Sequence, residues 1–164
     1  MWAPFQRRGL EKTGGAPQKL RLVEIAVTSL EQALADFGNE FLPPATRLRI
    51  LIIGHPRALD TAIQEQIQLI ARDAMSNAFR HANATIVEVE IEYLSNSLHV
   101  SVRDNGSGID EKALCLGRSS HSGILAMQKR ARIIGARLRI WTKKRVGTEV
   151  EICLPLKRVL RKEI

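Results

Sequence analysis

The sequence predicts an α+β fold, a two-layer α/β sandwich whose mixed, mostly antiparallel sheet of about five strands carries helices on one face. Three patterns predict it. Ile63, Ile67, Ile70, Ala74 and Ala78 recur at helical spacing and make a buried stripe on a helix from about Asp60 to Ala82. Val87, Val89, Ile91 and Tyr93 alternate with Glu88, Glu90 and Glu92, and Leu98, Val100 and Val102 alternate with His99, Ser101 and Arg103. Ser95-Asn96-Ser97 joins these two runs into a hairpin with one greasy and one charged face. A second hairpin closes the chain, with Leu138 and Ile140 on the outgoing strand and Val150, Ile152 and Leu154 on the return.

Residues 1–22 mix Gly14, Gly15, Pro17 and basic side chains without periodicity, as a flexible leader or an artificial boundary does. The domain then runs over 23–156. From Val23, apolar residues at Val27, Leu30, Leu34, Phe37 and Phe41 give a helix ended by Pro43-Pro44. Their near-heptad spacing also fits a coiled-coil stub, but two heptads are few, and a helix packed on the sheet is the preferred reading. A strand follows from Thr46 to Ile53, closed by Gly54-His55-Pro56. After the first hairpin, a polar segment from Asp110 to Ser122 precedes a helix carrying Ile124, Met127, Ala131 and Ile134. The final hairpin turns at about Lys143 to Gly147, and residues 157–164 form a basic tail.

At 164 residues and 45% hydrophobic, the chain has the size of one domain that buries its own core. No apolar run approaches the length of a membrane span, and Met1-Trp-Ala-Pro-Phe-Gln-Arg-Arg8 has no apolar core suited to a signal peptide. The expectation is a soluble, cytoplasmic domain. Cys115, in the presumed loop, and Cys153, in the last strand, lack metal-ligand spacing and are read as reduced thiols, Cys153 on the face shared by Glu149 and Glu151. A net charge of +8 admits nucleic acid as a partner, with Lys129, Arg130, Arg132, Arg137, Arg139, Lys143, Lys144, Arg145, Lys157 and Arg158 crowding the last third. Aromatic residues make up only 4% of the chain, however, which leaves few stacking platforms. A solvated basic face, or a docking face for an acidic regulator, is preferred over a nucleic-acid-binding module.

Asp104-Asn-Gly-Ser-Gly-Ile109 sets an acidic side chain and two glycines at the exit of the alternating strand, where an open α/β layer commonly binds a ligand. Gly106 and Gly108 lack Cβ atoms and let the backbone approach a bound group closely. Asp-Asn-Gly and Ser-Gly also form ordinary turns, so the motif alone supports either reading. Upstream, Asp73, Asn77 and His81 follow at successive i+4 steps and line one row of the long helix. A carboxylate, a carboxamide and an imidazole there suit a hydrated Mg²⁺ and its phosphates; a solvated polar edge is the alternative. His99, on a polar strand face, and His55, in a Gly-Pro turn, are given no functional role.

The order and separation of these motifs carry a resemblance. Ile70-Ala-Arg-Asp-Ala-Met-Ser-Asn-Ala-Phe-Arg-His-Ala82 and Val102-Arg-Asp-Asn-Gly-Ser-Gly-Ile109 resemble the asparagine box and first glycine box of the ATP-binding domain of bacterial sensor histidine kinases. Gly123-Ile-Leu-Ala-Met-Gln-Lys-Arg-Ala131, Ile134-Gly-Ala136 and Gly147-Thr-Glu-Val-Glu-Ile-Cys-Leu-Pro155 resemble the rest of it, over roughly Val23 to Pro155. The chain is most similar to the subgroup that pairs with response regulators bearing helix-turn-helix output domains. The resemblance implies the Bergerat-type fold of the GHKL ATPases, with ATP and Mg²⁺ as cofactors.

It also implies roles. Asp104 matches the acceptor of the adenine amino group, and Thr148 the hydroxyl that completes the adenine contact. Asn77 matches the metal-holding asparagine, and Asp73 stands where the subgroup usually has glutamate, one methylene longer. Asp73 and Asn77 are therefore the catalytic and metal candidates. Arg80 and His81 match the basic pair near the phosphates. Gly106 and Gly108 keep the base pocket open, and Gly123 and Ile124 belong to the nucleotide lid. The lid departs from the pattern, with Ser120 and Ala126 where it has glycines and only Gly123 kept, which narrows backbone freedom near phosphate.

The implied reaction is transfer of the γ-phosphoryl group to a histidine on a dimerisation domain. No segment of this sequence looks like that helical motif, so the acceptor is expected elsewhere in the full-length protein or in trans. Dimerisation is expected through such missing segments, with a response regulator as the downstream partner. Whether the parent protein is membrane-anchored is left open. Serine kinases that bind sigma factors, regulatory nucleotide-binding domains and ATP-driven dimer clamps share the fold; the Arg80-His81 pair and the Met127 to Ala131 segment favour the sensor-kinase branch.

Overall fold

A computed structural model of the protein describes residues 28–109 and 122–156. The expected leader, the segment before Thr28, the loop from Asp110 to His121 with Cys115 and Ser120, and the tail beyond Leu156 lie outside the described residues.

Helix α1 spans Leu30–Phe41. It begins at Leu30 rather than within the run from Val23, because Ser29 is extended and its Oγ accepts the Gln32 amide at 3.2 Å, satisfying a donor the first turn leaves orphaned. Its end falls where expected, ahead of Pro43-Pro44, with the Leu42 amide donating to the Gly38 carbonyl at 2.8 Å. Leu30 and Leu34 are fully buried, and the helix packs chiefly against the long helix Thr61–His81 and in part against the strand Arg47–Gly54, inside this domain's own core, so the coiled-coil reading is set aside.

Strand β1 (Arg47–Gly54) leads to helix α2 (Thr61–His81). Asp60 caps α2 by accepting the amides of Ala62 at 3.0 Å and Ile63 at 3.4 Å. The helix stops at Ala82, since Asn83 turns left-handed at φ 50°, a conformation its short polar side chain tolerates. Strands β2 (Ile86–Tyr93) and β3 (Ser97–Asp104) form the first hairpin, closed by a 2.9 Å bond from the Leu94 amide to the Ser97 carbonyl. Helix α3 (Ser122–Ile133) ends at Gly135, left-handed at φ 70°, with the Ala136 amide on the Ala131 carbonyl at 2.9 Å. Strands β4 (Arg137–Lys143) and β5 (Gly147–Pro155) follow.

The sheet runs β1-β2-β3-β5-β4, and only β1 and β2 are parallel. That exception follows from the connection: α2 is long enough to carry the chain back across the sheet, whereas the tight turns of the β2–β3 and β4–β5 hairpins permit only antiparallel neighbours. The five-strand mixed sheet with helices on one face is the predicted architecture.

Even-numbered residues of β3 and β5 face the helices. Leu98, Val100, Val150, Ile152 and Leu154 pack with Ile67, Ile70, Met75 and Met127 in one core. Each such side chain contributes about 1.5–3 kcal/mol by leaving water. Tyr93 lies at its margin, donating its hydroxyl to the Glu31 carboxylate on α1; burial, then that carboxylate, push its ionisation far up.

The opposite, charged face is less wet than an alternating pattern implies. Glu88 and Glu149 are buried around Arg103, whose Nε donates to Glu149 Oε1 at 2.6 Å and whose Nη1 lies 3.7 Å from Glu88 and 3.9 Å from Glu90. Burial opposes the guanidinium charge, but these carboxylates outweigh it and hold Arg103 protonated more firmly than in water.

Candidate functional site

β3 delivers Asp104 to the helical side of the sheet, at its last hydrogen-bonded position, opposite Thr148 on β5. Asp104 is only 8% exposed. Its Oδ1 accepts the Gly106 amide at 2.8 Å, and the Thr148 amide also bonds the carboxylate. Burial raises the carboxyl's pKa, and these two backbone bonds only partly oppose the rise. A buried, fixed acceptor at a strand end suits an amino group of a planar ligand better than a mobile surface carboxylate does.

The loop after Asp104 is bolted on three sides. Asn105 Oδ1 accepts the Thr85 and Ile86 amides, both at 2.9 Å, while its Nδ2 donates to Thr85 Oγ1 at 2.8 Å. The Ser107 amide donates to the Ala82 carbonyl at 2.7 Å, and the Arg145 amide to the Ser107 carbonyl at 2.7 Å. The Ile109 amide donates to Thr142 Oγ1 at 2.7 Å, and that hydroxyl lies 3.1 Å from Thr148 Oγ1. Gly106 is required because a Cβ would stand 2.2 Å from the Ala82 carbonyl oxygen. Gly147, at φ 139°, passes so close to β3 that a Cβ would lie 1.9 Å from the Asp104 carbonyl oxygen.

Asp104, Gly106, Gly108 and Thr148 thus meet at one end of the sheet, locked to the end of α2 that carries Arg80 and His81. On α2, Asn77, Arg80 and His81 are exposed. Asp73 is instead held from α3: Arg130 Nη1 donates to its Oδ2 at 2.7 Å. Asp73 and Arg80 also line a cleft of about 370 Å³ between α1 and α2, with Phe37, Phe41 and Phe79. Ile124 packs against the core at the start of α3, whereas a Cβ at Gly123 would meet nothing within 4 Å, so no contact among the described residues demands glycine there. The lid position Ala126 is half-buried on α3.

Sequence reasoning gave no role to Asn105, Thr142 or Arg130. Thr142 was within reach, because a hairpin turned between Lys143 and Gly147 sets 142 opposite 148. Nothing in the one-dimensional pattern pairs Arg130 with Asp73.

Among the described residues, no three His, Cys, Asp or Glu side chains converge as a complete metal cage. Asp73 and Asn77, one turn apart on α2, offer oxygen donors, and Oδ1 of Asp73 accepts no hydrogen bond among the described residues. That sparse set fits Mg²⁺, which keeps waters and takes its remaining oxygens from phosphates.

A buried acidic acceptor at a strand end beside a polar helix edge, on a one-sided mixed sheet, defines a two-layer nucleotide-binding domain. The model of the Histidine kinase-, DNA gyrase B-, and HSP90-like ATPase family matches residues 62–158, and the chain belongs to that family. Among its relatives, the nitrate/nitrite sensor protein NarX of Escherichia coli is 34% identical over 97 residues, covering 59% of this chain and 16% of the relative. The sensor histidine kinase YdfH of Bacillus subtilis is 33% identical over 136 residues, covering 82% of this chain and 33% of the relative. The chain therefore spans a third or less of the length of these two relatives.

Of solved structures, the histidine kinase domain from Erythrobacter litoralis EL346 superposes with a TM-score of 0.63 at 22% identity, over 77% of this chain and 59% of that one. The ATP-binding domain of PrrB from Mycobacterium tuberculosis gives 0.57 at 21% identity, over 77% of this chain and 90% of that one. Both likenesses bear on the fold.

Proposed function

We propose that this chain is the catalytic, ATP-binding domain of a two-component sensor histidine kinase, donating the γ-phosphoryl group of Mg-ATP to a histidine on a dimerisation domain. The buried carboxylate of Asp104, presented between the amides of Gly106 and Thr148, carries the reading. It supplies one fixed acceptor for the adenine amino group. The Thr142–Thr148 hydroxyl pair stands beside it for a direct or water-bridged contact.

Arg80 and His81, exposed at the end of α2, are the basic groups for the phosphates. Asn77 and Asp73 would hold Mg²⁺, which balances charge on the transferring phosphoryl group. The domain's own contribution is positioning, for which the three-sided bolting of the 104–109 loop is suited. The downstream partner proposed is a response regulator, with the kinase assembling as a dimer through a dimerisation domain.

Calorimetric titration with Mg-ATP tests the nucleotide step. Saturable binding is expected at or below about 1 mM. Asp104→Asn should weaken it about 100-fold, since an amide that presents its NH₂ to the base leaves two donors facing each other. No saturable binding at millimolar nucleotide would sink the reading. Transfer to a supplied acceptor domain should require Asn77 and survive His55→Ala.

A further inference from the structure

The outer face of the sheet, turned away from the helices and from Asp104, carries a second constellation of reactive groups. His99 on β3 and Cys153 on β5 are cross-strand partners. Cys153 Sγ lies 3.2 Å from His99 Nε2, and Nδ1 of the same ring is 3.9 Å from Glu151 Oε1. Thiol, imidazole and carboxylate therefore stand in line, each on a neighbouring position of two strands. The imidazole can take the thiol proton at one nitrogen, while the carboxylate steadies the charge that appears on the ring.

The array is a relay and not a chelate. His99 stands between sulfur and carboxylate, and no three metal-ligating side chains converge among the described residues. Nor is the thiol sealed in the core: Cys153 is half-buried and lines a cleft of about 330 Å³ with His99 and Glu151.

Glu92 on β2, in register with His99, is a second carboxylate facing the ring beside Glu151, and what the cleft would take is set on its other side by β4. Arg137 pairs in register with Cys153 and Arg139 with Glu151, both side chains are exposed, and both line the same cleft. Neither guanidinium has a carboxylate partner within ion-pair distance among the described residues. Two unpaired guanidiniums flanking a thiol favour a ligand that brings carboxylates. Beside His99 on the same face of β3, the Ser101 hydroxyl is buried without a hydrogen-bond partner among the described residues.

We propose that Cys153 is a site of thiol–disulfide exchange with small anionic disulfides, the class to which glutathione disulfide belongs. His99 takes the Cys153 proton, and the thiolate attacks one sulfur of the disulfide. A bond forms between Sγ and that sulfur as the original S–S bond breaks. The departing thiolate takes the proton back from the imidazolium. The protein thiol plus the disulfide thus become a mixed disulfide plus one free small thiol. The disulfide is the only oxidant: the Cys153 sulfur is oxidised and the departing sulfur reduced. Arg137 and Arg139 hold the carboxylates while this happens.

The rate of mixed-disulfide formation, followed by intact mass and peptide mapping in a Cys115→Ser background, tests the site. Glutathione disulfide should react at pH 7 about tenfold faster than cystamine, its cationic counterpart, because the flanking charge favours one and repels the other. Arg137→Gln with Arg139→Gln should erase that preference. Both residues are exposed, so the fold is expected to stand, with circular dichroism as the control. His99→Gln should slow the reaction about tenfold at pH 7 and not at pH 10, where a thiol ionises unaided. Equal rates with the two disulfides, a preference that survives loss of both arginines, or a pH profile unchanged by His99→Gln would each overturn the proposal.

Discussion

At Asp104 the proposed function and the stability of the fold stand in opposition. Its pKa is raised because burial penalises the carboxylate more than the Gly106 and Thr148 amides reward it. A carboxyl whose folded pKa lies above its unfolded value favours folding fully at pH below the unfolded value. That contribution is lost as pH rises through the folded pKa, so at neutral pH the group is a cost. Asp104→Asn removes the ionisation while keeping an oxygen for the Gly106 amide. The variant should be more stable than the parent at pH 7, with the gain shrinking as the pH falls into the acid range where the parent carboxyl is itself protonated. Thermal melts across that range check it, and a destabilised variant at pH 7 would mean that the amides outweigh the burial. The motif around Asp104 is legible in sequence because its strand alternates cleanly. The work of Asn105 is not, since its three bonds reach residues 85 and 86, about twenty positions upstream.

At the scale of elements, the helices follow from local rules. A capping serine or aspartate, an apolar stripe, and a residue able to turn left-handed account for where α1, α2 and α3 begin or end. The strand register follows from turn position and alternation. What local rules omit is how elements meet, and the Asp73–Arg130 pair between α2 and α3 is the instance that bears on the site. Asp73 is read from sequence as a free metal candidate, yet in the structure its Oδ2 is already engaged. The side chains of Arg130 and Asp73 remain 29% and 40% exposed, so the pair is worth little to stability. Its effect is better sought in metal binding, where a cation already on the carboxylate competes with Mg²⁺. Arg130→Gln should lower the Mg²⁺ concentration that half-saturates ATP binding by about three- to tenfold, with less than about 1 kcal/mol change in stability. An unchanged Mg²⁺ dependence would show that Asp73 does not meet the metal.

For the whole molecule, the question is what the surplus of 25 basic over 17 acidic residues is for. Among the described residues, Arg103 and Arg130 are committed to carboxylates, while Arg137, Arg139, Lys143, Lys144 and Arg145 are exposed on the β4 strand and its turn. A field of that kind attracts any polyanion, so affinity at low salt discriminates poorly between DNA and nucleotide. Salt dependence discriminates well. Binding spread over six to ten phosphates loses about a thousandfold or more between 50 and 200 mM salt, because each contact releases counterions. In the proposed site, ATP seated by Asp104 and gripped by Arg80 and His81 would make few phosphate contacts, and the base contact would be indifferent to salt. Its affinity should fall no more than about tenfold over the same range. Retention on DNA should accordingly disappear by 200 mM salt while Mg-ATP binding persists. DNA binding that survived that salt with ATP binding lost would turn the basic face from a solvated surface, or a docking face for an acidic regulator, into the principal site.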